Sequence, residues 1–311
     1  MNKKSFKIAT RNSPLALKQA QMVMTALSDQ HPDLEIELVP IRSQADWNKA
    51  DGEKPLSEEA GGKGLFAKEI EKLILEGAVD CGVHSLKDMA AFLPDGLVIQ
   101  HVLPRANPYD VCVSGKYKSI DALPDGAIVG SCSARRTAIA LSKRRDLKIV
   151  PFRGNVQTRI DKVKSGQVDA TFLAQAGLAR LGIRDDILHP LTSEEMLPAC
   201  GQGIICIETR NNDAYAHEIL QSIHCVQTGI CAAAERAVLA SLNGSCHTPI
   251  AAFSTLEGNQ LYLQAQVYAL DGSSVYEQSA TAPCANDGDA YKVGQQVGEA
   301  LNAVLPEGML S

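Results

Sequence analysis

Residues 127–174 read AIVGSCSARRTAIALSKRRDLKIVPFRGNVQTRIDKVKSGQVDATFLA. Three short apolar runs, AIVGS, KIVPF and DATFLA, alternate with two helical ones, ARRTAIALSKR and NVQTRIDKVKSG. This alternation predicts parallel strands covered by helices, since a parallel neighbour is reached only through a long crossover. The rhythm continues on both sides, with VCVSG before the stretch and AGLARLG after it. Further upstream, FKIAT predicts a strand and Ser13-Pro14 a cap and first-turn pair opening the helix PLALKQAQMVMTALS. LEIELVPI, VDCGVHS and LVIQHVL read as strands, and GLFAKEIEKLILEG as a helix. The first two-thirds of the chain are therefore expected to be α/β.

From Pro249 the period changes. AAFSTL, QLYLQAQVYAL and SVYEQSATA predict a three-stranded meander with turns at Glu257-Gly258-Asn259 and Asp271-Gly272, closed by the helix AYKVGQQVGEALNAVL. This predicts a separate α+β domain. At 311 residues the chain has room for two or three domains. Aromatics make up only 5%, so the cores must be built from Leu, Ile, Val and Ala. A net charge of −6 argues against binding nucleic acid by phosphate neutralisation. No apolar run approaches the ~20 residues of a membrane span, and MNKKSFKIATRNS lacks the apolar stretch of a secretory signal. Nine cysteines without a small-domain framework suit a reducing cytoplasm. Their spacing, as in Cys200 and Cys206 or Cys225 and Cys231, does not match a structural zinc site, so no metal is expected. Most read as core residues.

Arginines follow the strands with regularity. Arg11 and Ser13 follow the first, Ser133, Arg135 and Arg136 follow AIVGS, Arg153 and Arg159 follow KIVPF, and Arg180 follows DATFLA. Each alone reads as a solvated surface charge. As a set they occupy the carboxyl ends of strands, where open α/β sheets bind ligands and helix N-termini offer free N–H groups. Guanidinium forks grip carboxylates at two points, so the set predicts a small ligand with several anionic groups. VHSLKD puts His84, Lys87 and Asp88 at a strand mouth, where a carboxylate could accept a ligand N–H, steady a cation or pass a proton; a turn-capping Asp is the plainer alternative. GGKGLF, residues 61–66, lacks the Gly-Lys-Ser/Thr ending of a nucleotide loop and reads instead as a mobile flap that carries Lys63. In LNGSCHTPI, residues 242–250, Asn243-Gly244 ends an Ala-rich helix and Cys246 falls on the loop beyond it.

IATRNSPLAL, GGKGLFAKEIE, VHSLKD, IVGSCSARR, FRGNVQTRI, LAQAGLARLG, CGQG, AAAERA and NGSCHTPI occur in one chain, in this order. Together they resemble the porphobilinogen deaminase (hydroxymethylbilane synthase) family over essentially the full length. The resemblance implies a dipyrromethane cofactor joined by a thioether to Cys246. It implies that four molecules of porphobilinogen lose ammonia in turn, each through a cationic azafulvene-like electrophile. They extend the cofactor to six rings, and hydrolysis then frees 1-hydroxymethylbilane for a downstream cyclising enzyme. Asp88 matches the catalytic aspartate. Arg11, Ser13, Lys87, Ser133, Arg135, Arg136, Arg153, Arg159 and Arg180 match residues that bind cofactor and substrate side chains, with Gln202, Lys63 and Phe66 as weaker matches.

The architecture implied is two similar lobes of the periplasmic-binding-protein-like type around a central cleft, plus the smaller α+β domain. Residues 1–103 with 203–223 would form the first domain, 104–202 the second and 224–311 the third. The chain would be a cytoplasmic monomer. Met89-Ala90 departs from the family pattern after Asp88 and predicts a looser turn there. Gln44 and Glu59 depart as well, within a longer flap loop, and so does Tyr109, in NPYD. Two rivals stand beside this reading. One is a non-catalytic binder of small polyanions on the same fold; the other is a cysteine transferase pairing Cys246 with His247.

Overall fold

The computed structural model describes residues 5–41, 67–245 and 247–310. β1 (Ser5–Arg11), the buried FKIAT run, pairs in parallel with β2 (Glu35–Ile41) along its whole length, and with β3 (Cys81–Ser85) on the other side. α1 (Pro14–Gln30) makes the first crossover, and α2 (Lys68–Leu75) packs against β3. β4 (Leu97–Val102) completes the side of the sheet away from β2. The sheet order is β2-β1-β3-β10-β4, where β10 (Ile205–Arg210) arrives from far along the chain.

The second sheet repeats the plan. β6 (Ile128–Gly130), β7 (Lys148–Val150) and β8 (Ala170–Ala174) are parallel, with α3 (Ala134–Lys143) and α4 (Val156–Lys164) as crossovers. α5 (Gln175–Arg180) leads on to the edge strand β9 (Leu188–Pro190). With β5 (Asp110–Val113) the order is β7-β6-β8-β5-β9. The wholly parallel sheets expected from the alternation are corrected here. β10 runs antiparallel to β3 and β4, and β5 antiparallel to β8 and β9. Each of these two strands enters its sheet from the other lobe rather than through a helical crossover, so nothing obliges it to run with its neighbours.

The two crossing segments lie side by side. Leu103 N–H donates to Ile205 O, and Ala106 N–H to Gly203 O, both at 3.1 Å. Gly203 has φ +90°, and a Cβ there would sit 2.5 Å from Ala106 O, so the close approach requires glycine.

α6 (Ala214–Gln221) precedes α7 (Val226–Ser241), which packs with α8 (Asp287–Asn302) over the meander β11 (Ile250–Glu257), β12 (Gln260–Tyr268), β13 (Val275–Pro283). Leu261, Leu263, Ala265 and Val267 alternate inward from β12 and are fully buried. Truncating Leu263 to Ala would cost ~2–5 kcal/mol. A Cβ on Gly294 would overlap the backbone of Ala234, so the two helices meet at their small residues. α7 ends as its sequence predicts, with Asn243 itself in the left-handed region at φ 48°. Gly244 N–H then donates to Leu239 O at 2.9 Å.

Candidate active site

One wall of the site belongs to the first sheet. Arg11 ends β1, and Ser13 caps α1 by accepting from Ala16 N–H at 3.3 Å. Because the serine oxygen accepts, its hydroxyl proton is left to donate. Arg11, Ser13, Gln19, His84, Ser85 and Asp88 line a common pocket. Gln19 is 2% exposed and donates through Nε2 to Ser85 Oγ at 2.7 Å. Asp88 closes a single 3₁₀ turn, Leu86–Asp88, whose Leu86 is buried and donates its N–H to Ile204 O at 3.0 Å. The Asp88 side chain is exposed at the end of that rigid turn.

The looser turn expected after Asp88 is not found. Met89 is 5% exposed, and Arg236 donates through Nη2 to Ala90 O and Ala91 O, each at 3.2 Å. Arg236 of α7 thus pins the segment from behind.

The other wall carries the arginines. Ser133 caps α3, accepting from Arg136 N–H at 3.4 Å. Ser133, Arg135 and Arg136 follow β6, Arg153 and Arg159 follow β7, and Arg180 lies on α5 after β8. They therefore share the carboxyl edge of three adjacent parallel strands. Arg135 and Arg136 are buried and converge on Asp110. Arg135 Nη2 donates to Asp110 Oδ2 at 2.7 Å, and Arg136 Nη2 to Oδ1 at 2.6 Å. Leu197 O and Phe172 O accept the remaining prongs at 2.6 and 2.8 Å. Sequence reading expected both guanidiniums to face ligand; part of their charge is instead balanced inside the protein. Arg153 is buried, Arg159 Nε donates to Gly154 O at 2.9 Å, and Arg180 Nη2 to Gly203 O at 2.6 Å.

Lys87 and Gln202 join the walls. Lys87 Nζ donates to Gln202 Oε1 at 3.3 Å, and fully buried Gln202 donates through Nε2 to Pro108 O at 2.6 Å. Tyr109 packs edge-on against Phe253, with ring centroids 6.0 Å apart. Cys246, Lys63, Phe66, Gln44 and Glu59 lie outside the described residues. Of the neighbours of Cys246, Ser245 N–H donates to Thr248 Oγ1 at 2.8 Å and His247 N–H to Ser245 Oγ at 3.2 Å.

The family model described as "Porphobilinogen deaminase, dipyromethane cofactor binding domain" matches residues 6–218, and that described as "Porphobilinogen deaminase, C-terminal domain" matches 229–303. The porphobilinogen deaminase of Legionella pneumophila (strain Lens) is 43% identical over 278 residues, covering 89% of each chain. The chain belongs to the porphobilinogen deaminase family.

Two solved structures show a partial likeness to the chain. The BenM effector-binding domain with its effector benzoate superposes at TM-score 0.45 and 18% identity, covering 71% of this chain and 90% of that one. The periplasmic aliphatic sulphonate binding protein SsuA from Escherichia coli gives 0.42 at 14% identity, covering 76% and 70%.

A porphobilinogen deaminase must hold the dipyrromethane of its cofactor domain, and the electrostatics here test whether the residues suit one. Burial alone would raise the Asp110 carboxyl, but Arg135 and Arg136 hold it well below the usual carboxylate range. One carboxylate between two guanidiniums leaves a net positive charge. Burial first, and Arg136 second, bring the Lys87 ammonium down to about 8. Nε of Arg135 and Nε of Arg180 are buried with no hydrogen-bond partner among the described residues. A site that suppresses its own lysine and leaves guanidinium donors unpaired fits a ligand rich in carboxylates.

Sequence reading missed Asp110, Gln19 and Ser85. Asp110 had a faint signal, as a lone charge opening the buried strand DVCV. Six of the eight described cysteines are buried, as expected of core residues, and burial pushes the Cys112 and Cys200 thiols up to about 12. Among the described residues, no group of three or more His, Cys, Asp or Glu is placed to hold a metal ion, and no helix is long and apolar enough to cross a membrane.

Proposed function

We propose that the protein is a hydroxymethylbilane synthase that joins four porphobilinogen molecules to a dipyrromethane carried on Cys246 and then releases the linear tetrapyrrole by hydrolysis. When bound, the dipyrromethane supplies the nucleophilic ring carbon to which substrate is added. Arg135, Arg136, Arg153, Arg159, Arg180 and Lys87 would hold its acetate and propionate groups, with hydroxyl donors from Ser133 and amide contacts from Gln202. Arg11 and Ser13 would receive the carboxylates of incoming porphobilinogen in the pocket that they share with Asp88. Asp88, exposed on a rigid turn, would accept pyrrole N–H groups and stabilise the positive charge that develops as ammonia leaves. Lys63 and Phe66 would cover the site from the flap.

One observation carries this reading. Lys87 lies within electrostatic reach of Asp88 on its own turn and of Asp110, Arg135 and Arg136 from the other lobe. The carboxylate proposed for the cation and the cations proposed for the carboxylates would then act at one place.

The domains proposed are 1–103 with 203–223, 104–202, and 224–311. The paired crossing segments would serve as the hinge by which the cleft accommodates a lengthening product. The enzyme is proposed to act as a cytoplasmic monomer that passes its product to a cyclising enzyme.

The test is an intact-mass measurement with a colour reaction for pyrroles. The purified protein should exceed its sequence mass by a linked dipyrrole, and Cys246→Ser should remove the excess. A protein of bare sequence mass that still turns porphobilinogen over would overturn the anchor role. One that binds oligocarboxylates without turnover would be a binding protein instead.

A further inference from the structure

Behind the Asp88 pocket lies a group of acids that the mechanism above does not use. His84, one of the pocket's lining residues, is buried on β3 and places Nε2 3.1 Å from Oε2 of Glu208 on β10. The approach is close but off-line for a hydrogen bond, and both Glu208 oxygens are buried with no hydrogen-bond donor among the described residues. Glu208 is fully inaccessible. Glu71, on α2, is itself buried and lies within electrostatic reach of both Glu208 and His84. The backbone makes room for the group, since a Cβ on Gly82 would sit 2.8 Å from His84 Nε2.

A carboxylate so enclosed, without a straight donor, is costly to charge. The His84 imidazole and the Glu208 carboxyl are close enough to pass a proton between them, with Glu71 in electrostatic reach of both. Burial first, then the Glu208 carboxylate, raise Glu71 to about 7. The charged groups facing the unit are Lys68 and Glu69 beside Glu71 on α2, and Arg236 on α7 on the Glu208 side, with Arg11 and Asp88 lining the pocket that His84 also lines.

We propose that His84, Glu208 and Glu71 form the proton store of the Asp88 pocket, with His84 handing the proton on at the pocket wall. The inference rests on the condensation chemistry proposed above, whose proton count gives such a store a task. The aminomethyl group brings its own proton as an ammonium; as the C–N bond breaks, the electron pair goes to nitrogen and ammonia departs. As the new C–C bond forms, the attacking pyrrole carbon gives up its ring proton. The store takes up that proton and releases it to the departing ammonia, which leaves as ammonium, so the store ends each round unchanged and no oxidant or reductant is involved. Asp88 alone would have to hold this proton while also stabilising the cation, and those two tasks require opposite charge states.

The test uses the full chain and the variant Glu71→Gln, which alters the store at its helix side. Histidine NMR of the cofactor-free protein should show the His84 ring signals displaced in Glu71→Gln. In the holoenzyme, the limb of the kcat profile near pH 7 should move by about one pH unit, with KM unchanged and Glu71→Asp restoring much of the native profile. A kcat profile that coincides with the native one, or a loss of rate equal at every pH, would overturn the proposal. Native enzyme that does not consume porphobilinogen at all would instead overturn the function proposed above, so the two failures are distinct.

Discussion

Arg105 grips Glu235 with both prongs of its guanidinium, Nη1 to Oε1 at 2.6 Å and Nη2 to Oε2 at 3.2 Å. Arg105 sits on one crossing segment, and Glu235 also accepts from Gly201 N–H on the other at 2.7 Å. From β11, Ser254 donates to the same carboxylate through its N–H at 2.9 Å and its hydroxyl at 2.8 Å. The guanidinium lies 4.8 Å from the centroid of the Phe253 ring. Glu235 is therefore fully buried with its lone pairs satisfied, and it ties both crossings to α7 and β11.

Replacing Arg105 with Leu strands this charge. Breaking one partner of a buried pair costs ~3–5 kcal/mol, because the other is left uncompensated. Urea unfolding of Arg105→Leu should show a loss of that size, and the double variant Arg105→Leu with Glu235→Met should recover part of it. A loss below about 1 kcal/mol would show that the crossings are held by other contacts.

Acid should weaken the fold at His101. Its ring is buried, with Nε2 3.0 Å from Nδ1 of His217 and the His224 ring edge-on at 5.8 Å. Burial first, then His217 and His224, lower its pKa from 6.5 to about 4. In that interval the unfolded chain binds a proton that the folded one refuses, so stability falls as pH drops from 6.5 towards 4, by up to about 3 kcal/mol. His101→Phe should flatten this dependence in thermal melts between pH 4 and 7. An equal slope in the variant would place the acid sensitivity elsewhere.

Asp88→Asn preserves shape and removes charge. The covalent adduct should remain visible by mass, while turnover of porphobilinogen falls by roughly 10²–10⁴, the scale on which positioned acid–base and electrostatic groups act. Single-turnover mixing separates this from binding, which should change little. Native rates would remove Asp88 from the chemistry.

Much of this was legible locally. The Ser13 cap, the Asn243-Gly244 stop and the arginines after strands all declare themselves within a few residues, because capping and turn chemistry are short-range. Strand direction was not legible. DVCV and ICIETR are apolar runs like their neighbours, and periodicity carries no sign for antiparallel pairing. Nor were the polar partnerships. Asp110 meets Arg135 across 25 residues, Gln19 meets Ser85 across 66, and Arg105 meets Glu235 across 130. In each case the fold brings together groups that no local pattern relates. The site's cations could be read from the sequence, but the carboxylates that balance them could not.

Lys87 offers a test of the charge surplus itself. With burial and Arg136 holding it at about 8, much of the ammonium is discharged between that pH and its ordinary 10.5. A carboxylate seated against it favours the charged form and raises the pKa again. Binding in this window must then take up a proton, so affinity should be flat below pH 8 and fall as pH rises through the window. Calorimetry of the cofactor-free protein with an unreactive dipyrrole bearing acetate and propionate groups at pH 9, in two buffers of different ionisation enthalpy, reads the uptake directly. Lys87→Met supplies the reference for protons exchanged elsewhere. The variant should lose the additional uptake and bind ~10–100-fold more weakly, the equivalent of one hydrogen bond to a charged group. Equal uptake in both proteins would mean that Lys87 stays discharged in the complex and that the ligand's carboxylates are held by the arginines alone.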